Sequence, residues 1–169
     1  MKRIAAFALM VALSAGAEAA DPCSEFFTMK QLWTLQQAYD HGEPQGLGYT
    51  MAAIVWKESS AGLKLSRKDG EHWAMNSYGP FHILLKTAKN RRGCKAWNCS
   101  GVKRELMNDF QYSADLALEE LEYWNERLGD YRKAFAAYNA GNAWRGSAGS
   151  AYSRDIRGKI RYLQQCVRF

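Results

Sequence analysis

A chain of 169 residues, 47% hydrophobic and with a net charge of +6, has the length and apolar content expected of one ordinary folded domain. Its basic residues are scattered. The densest run is Lys89–Lys95, and no basic motif interleaved with aromatics stands out, so nucleic acid is not an expected partner and most of the charge is assigned to solvated surface. The supply of Trp, Tyr and Phe is enough to build a core and also to line a ligand groove.

The amino terminus reads as an export signal over residues 1–19. Lys2 and Arg3 precede an apolar run from Ile4 to Ala17, and Ala17–Ala19 supplies small residues for cleavage. That leaves residues 20–169 as a single domain. The run is too short to cross a bilayer comfortably, so a stable membrane anchor is not expected, an uncleaved anchor being the competing reading. Cys23 follows Ala-Asp-Pro, which does not resemble a lipoprotein box.

Four cysteines, Cys23, Cys94, Cys99 and Cys166, behind an export signal point to disulfides. Three connectivities exist. The favoured one closes a small loop with Cys94–Cys99 and ties the chain ends with Cys23–Cys166. His41, His72 and His82 are poorly spaced for zinc, so a metal site is not expected.

The remainder reads as mainly α. Thr28 can cap and Gly42 can stop a first helix whose Leu32, Leu35 and Tyr39 share a face. A second helix is expected from Leu47 to Ser60, ending at Gly62. Residues 63–78 lack a helical period and contain Lys-Asp-Gly-Glu, a turn signal, so a loop or small hairpin is expected there. Pro80 suits the first turn of a third helix. The longest helix is expected over Lys103–Leu128, where Leu106, Phe110, Ala114, Ala117, Leu121, Trp124 and Leu128 recur at steps of three and four. A shorter helix ends at Gly141, residues 142–150 read as a loop, and a last helix carries Ile156, Ile160 and Leu163 on its inner face.

Glu58 breaks the expected polarity of the second helix. At about 100° per residue, Leu47, Met51 and Ile54 project from the same side as Glu58, while Lys57 takes the wet side. A carboxyl group on an apolar stripe resists ionising, which is what a general acid requires. An exposed glutamate near a helix end, or a buried one paired with arginine, is the structural alternative.

Three short motifs give this glutamate a context. A hydrophobic helix ends in Glu-Ser in "AAIVWKESSAG". A Ser-x-Gly pattern followed by a helix with Thr-Ala occurs in "SYGPFHILLKTA". An Ala-Tyr-Asn-x-Gly pattern follows the long helix in "AAYNAG". In order and spacing, from about Gly48 to Ile160, the chain resembles the soluble-type lytic transglycosylases, which have a lysozyme-like domain and cleave peptidoglycan. The resemblance implies a lysozyme-like fold, with Glu58 the catalytic acid and base and Ser59 helping to hold it. Ser77 and Gly79 would line the cleft, the glycine letting the backbone approach the sugar. Tyr138 and Asn139 would face Glu58 and orient an N-acetyl sugar. The sequence departs from the family pattern at two places. His82 stands where the family has glutamine, and Tyr152 fills a tyrosine position that the closest alignment gives to Ile156.

The implied reaction cleaves the β-1,4 bond between N-acetylmuramic acid and N-acetylglucosamine and leaves 1,6-anhydromuramic ends. The implied setting is a periplasmic monomer acting on peptidoglycan glycan strands, opening the wall locally for a secretion, conjugation or phage assembly. A hydrolytic muramidase using Asp69 or Glu71, and a catalytically weak wall-binding assembly protein, are the alternatives.

Overall fold

A computed structural model of the chain describes residues 23–68, 75–94 and 100–169. The expected export signal over 1–19, and Asp69, Glu71, His72 and Cys99, lie outside the described residues. The fold is mainly helical with a small three-stranded antiparallel sheet, an arrangement compatible with an α-rich lysozyme-like domain.

Helix α1, Met29–Gly42, opens with a capping box. Thr28 accepts from the Gln31 backbone N–H, and the Gln31 side chain accepts from the Thr28 backbone N–H. After a 3-10 turn, α2 spans Gly48–Ser59. Its Met51, Ala52, Ala53, Ile54 and Val55 are fully buried, because α2 is covered by α1 on one side and by the last helix on another. An apolar side chain taken wholly out of water contributes about 1.5–3 kcal/mol. The helix is therefore held by what it packs against more than by its own propensity.

Beyond α2 the chain turns through Ser60 and Ala61, both at positive φ, and Gly62. Ser59 locks the turn. Its hydroxyl donates to the Val55 carbonyl at 3.0 Å and accepts from the Gly62 N–H at 2.8 Å. Strands β1 (Ser66–Arg67), β2 (Ser77–Tyr78) and β3 (Ile83–Leu84) follow, paired Ser66 with Tyr78, Arg67 with Ser77, Ser77 with Leu84 and Tyr78 with Ile83. The hairpin expected within 63–78 is thus present as β1–β2, with a third strand added. Pro80 does not open a helix. It sits in the β2–β3 turn, and α3 begins only at Leu85 and runs to Arg91.

The single long helix expected over Lys103–Leu128 is two, α4 (Ser100–Asn108) and α5 (Phe110–Leu128). Asp109 lies between them in extended conformation and accepts from the Tyr112 N–H, which starts a new helix where the apolar period alone continues. Helix α6, Tyr131–Ala140, is capped by Asp130. It ends at Gly141, whose φ of 55° and ψ of −133° suit glycine. Residues 142–150 are not all loop, because α7 starts at Ser147 and continues to Cys166. Ile156 and Leu163 are fully buried, with Ile160 packed at the edge of the same core.

Cys23 and Cys166 are joined, tying the first described residue to the end of α7 across a sequence separation of 143 residues. A loop that long stabilises by about 4–5 kcal/mol in the chain-entropy account. Cys94 is also disulfide-bonded. No helix among the described residues is long and apolar enough to cross a membrane.

Candidate active site

The carboxyl group of Glu58 leaves the last turn of α2 and enters a cleft of about 490 Å³. The cleft is walled by the sheet on one side and by α5, α6 and Gly141 on the other. Arg67, Ser77, His82, Tyr138, Asn139 and Glu120 are among the polar side chains lining it. The Glu58 side chain is only 5% exposed. Leu47, Met51 and Ile54 of the stripe that carries it are buried, but so are Ala52, Ala53 and Val55, so Glu58 ends a helix buried on more faces than the apolar stripe alone.

Three groups approach the carboxylate. The Tyr152 hydroxyl, from α7, donates to Oε1 at 2.6 Å. The Arg67 guanidinium, from β1, stands 3.5 Å from Oε2. The His82 Nδ1 stands 3.6 Å from the same oxygen. Tyr138 stacks against Tyr152 with ring centroids 6.3 Å apart, and its hydroxyl donates to the Phe81 carbonyl at 3.1 Å. Burial first, and then the nearby Glu58 charge, push both phenols well above the usual tyrosine range. Both therefore remain neutral hydroxyl donors at any physiological pH.

The expected site residues fall into two groups. Glu58, Ser77, His82, Tyr138 and Asn139 line one cleft, and Tyr152 reaches Glu58 from behind. The Tyr152 position, not that of Ile156, meets the glutamate, since Ile156 is wholly within the core. Ser59 and Gly79 do not line the cleft. Ser59 is fully buried and acts on the helix end, so it positions Glu58 through the backbone. Gly79 faces α4 and α5. A Cβ there would lie 2.2 Å from the Leu106 carbonyl oxygen and 2.7 Å from the Ser113 hydroxyl oxygen, so its glycine serves packing rather than approach to a sugar. Its φ of +81° adds a second reason for glycine.

No family model matches the chain, and no solved structure matches it. A curated relative does. It is a 20.7 kDa protein from the vs–regB intergenic region of enterobacteria phage T4, described there as uncharacterized, and is 34% identical over 174 residues that cover 93% of this chain and 93% of the relative. The chain belongs to the family of this phage protein.

Two charged residues in this family member's cleft carry no motif. Arg67 is brought to Glu58 by the pairing of β1 with β2. Glu120, from α5, accepts from the Trp124 indole N–H at 2.7 Å and from the Arg91 guanidinium at 2.6 and 3.2 Å. Arg91, already fixed on Glu120, also lies over the Tyr123 ring at 4.4 Å. Among the described residues no group of acidic, histidine or cysteine side chains is arranged to hold a metal ion.

Proposed function

We propose that the protein is a peptidoglycan lytic transglycosylase with Glu58 as its single acid and base. The observation that carries this reading is a nearly buried carboxyl group in a sugar-sized cleft, held by the Tyr152 hydroxyl and bordered by Tyr138 and Asn139. Protonated Glu58 gives its proton to the oxygen of the β-1,4 bond, and the bond from that oxygen to C1 of N-acetylmuramic acid breaks. The substrate's own N-acetyl carbonyl oxygen stabilises the positive charge that develops at C1. Glu58, now a carboxylate, takes the proton from the C6 hydroxyl, and the C6 oxygen bonds to C1. The product is a 1,6-anhydro end, the acid is regenerated, and no water is consumed.

A hydrolytic reading needs a second carboxylate free to hold water. Glu120 is the other carboxylate in the cleft among the described residues, and its oxygens already accept from Trp124 and Arg91. This favours the one-carboxylate scheme. The phage T4 relative favours a phage-related setting among the wall-opening roles, with export to the periplasm as the matching location. Mass spectrometry of muropeptides released from purified wall tests the reaction. Anhydro-ended fragments support it, reducing ends point to a muramidase, and binding without release points to an assembly protein.

A further inference from the structure

His82 is an unusual residue for its position. It is 8% exposed, and its backbone φ of +45° lies in the left-handed region that side chains other than glycine seldom adopt. A buried residue keeps such a conformation only when its surroundings hold it there, and such positions gather at functional sites. One hold is visible. Ring Nε2 lies 2.8 Å from the Lys64 carbonyl oxygen. A carbonyl can only accept, so Nε2 carries a hydrogen. The other tautomer would press two lone pairs together at that distance.

The remaining ring nitrogen, Nδ1, is buried and has no hydrogen-bond partner. It faces Glu58 Oε2 at 3.6 Å, a few tenths of an ångström beyond hydrogen-bond length. If the imidazole were neutral and the glutamate ionised, a lone pair would face a negative oxygen. One proton between them removes the conflict. It completes either a carboxyl O–H donating to Nδ1 or an imidazolium N–H donating to Oε2, and such catalytic contacts commonly tighten when substrate binds. The other charged and titratable groups facing the pair are Arg67 from β1, Tyr152 from α7, Tyr138 from α6 and Glu120 from α5. Arg67 stands 3.5 Å from the same carboxylate oxygen as Nδ1. The two tyrosines are neutral, and Glu120 is already matched by Arg91.

We propose that Glu58 and His82 hold one proton in common, shared between Oε2 and Nδ1, with His82 as the positioning residue that keeps this proton beside the carboxyl group. The proposal rests on the catalytic reading of Glu58 and extends it to how the acid is loaded before substrate arrives. A glutamine at residue 82 could make the same contacts with Lys64 and Glu58 but could not store a proton, so the two residue types differ in pH dependence rather than in shape.

The test has two parts on the full chain. Ring nitrogens labelled with 15N are followed by NMR from about pH 5 to pH 9 in the wild type and in Glu58→Gln, with His82→Gln assigning the signal. The expected spectra show Nε2 protonated throughout, and Nδ1 losing its proton about one pH unit or more lower in Glu58→Gln. A His82 ring with its hydrogen on Nδ1, or a titration unmoved by Glu58→Gln, overturns the proposal whether or not the protein cleaves wall. In the second part, rates of wall solubilisation are measured against pH. His82→Gln is expected to move the alkaline limb to lower pH by about one unit or more, with an acidic rate closer to the wild type. A uniform change at every pH assigns His82 a purely structural role and also overturns the proposal. If neither form cleaves wall, the catalytic reading falls while the NMR comparison still decides the shared proton.

Discussion

The hydroxyl of Tyr152 lies 2.6 Å from Oε1 of Glu58, although 94 residues separate the two in sequence. The contact joins the last turn of α2 to the first half of α7 at the floor of the cleft. Because the phenol stays neutral, it remains a hydrogen-bond donor to Glu58 Oε1.

Removing that donor should damage catalysis more than binding. A hydrogen bond to a charged group is worth about 1.5–3 kcal/mol. Tyr152→Phe is therefore expected to lower kcat roughly 10- to 100-fold on peptidoglycan with KM nearly unchanged. Steady-state kinetics check this, and an unchanged kcat would show that the contact does not orient the reacting carboxylate.

Gly79→Ala should cost stability rather than chemistry alone. The added methyl would sit 2.2 Å from the Leu106 carbonyl oxygen, on a backbone at φ +81°. Backbone cannot yield as a side-chain tip does, so a loss of at least about 2–3 kcal/mol is expected. Urea unfolding measures it. A variant as stable as the wild type would show that β2 and α4 are not packed this closely.

Lys57 and Lys159 both pair with Asp155, which ties α2 to α7 one residue from Glu58. Burial opposes ionisation of Asp155, but the hydrogen bond from Lys57 and the charges of Lys159 and Lys57 outweigh it and hold the carboxyl below its ordinary range. A carboxyl depressed in the folded state adds stability above its unfolded value of about 3.9, and that stability is lost as pH falls through the folded value. Asp155→Asn should thus be less stable than wild type near neutrality, by up to about 1 kcal/mol for a partly exposed pair. The difference should shrink as the solution is acidified below about pH 4. Thermal melts across pH check the sign, and a difference that grows on acidification would refute it.

Much of the scaffold is legible in the sequence because it is local. The Thr28 helix start, the Gly141 helix stop and the apolar stripe leading to Glu58 all depend on residues within a few turns of one another. The break at Asp109 is hidden for a physical reason. Leu106, Phe110 and Ala114 keep a four-residue step through it, so hydrophobic period alone continues where a side-chain cap starts a new helix. Pro80 likewise fits two local readings, helix start or tight turn, and only pairing of β2 with β3 selects the turn.

The site divides the same way. Glu58 announces itself by lying on an apolar face, and Tyr138 and Asn139 by their motif. Tyr152 and Ile156 lie one turn apart on one helical face, so spacing cannot separate them, whereas burial does. Arg67 sits in a segment without period and meets Glu58 only through strand pairing. Glu120 enters the cleft from a long helix that also carries Asp115, Glu119, Glu122 and Glu126, and nothing local marks it from them.

Replacement of Glu58 by glutamine, read by mass spectrometry of the muropeptides released from purified wall, bears most directly on the assignment of the acid. The variant keeps the shape of the side chain and its contact with Tyr152 while removing the transferable proton. The wild type should release anhydro-ended fragments, and Glu58→Gln, folded and with an unchanged melting profile, should release essentially none. Fragment release by Glu58→Gln at the wild-type rate would contradict the account.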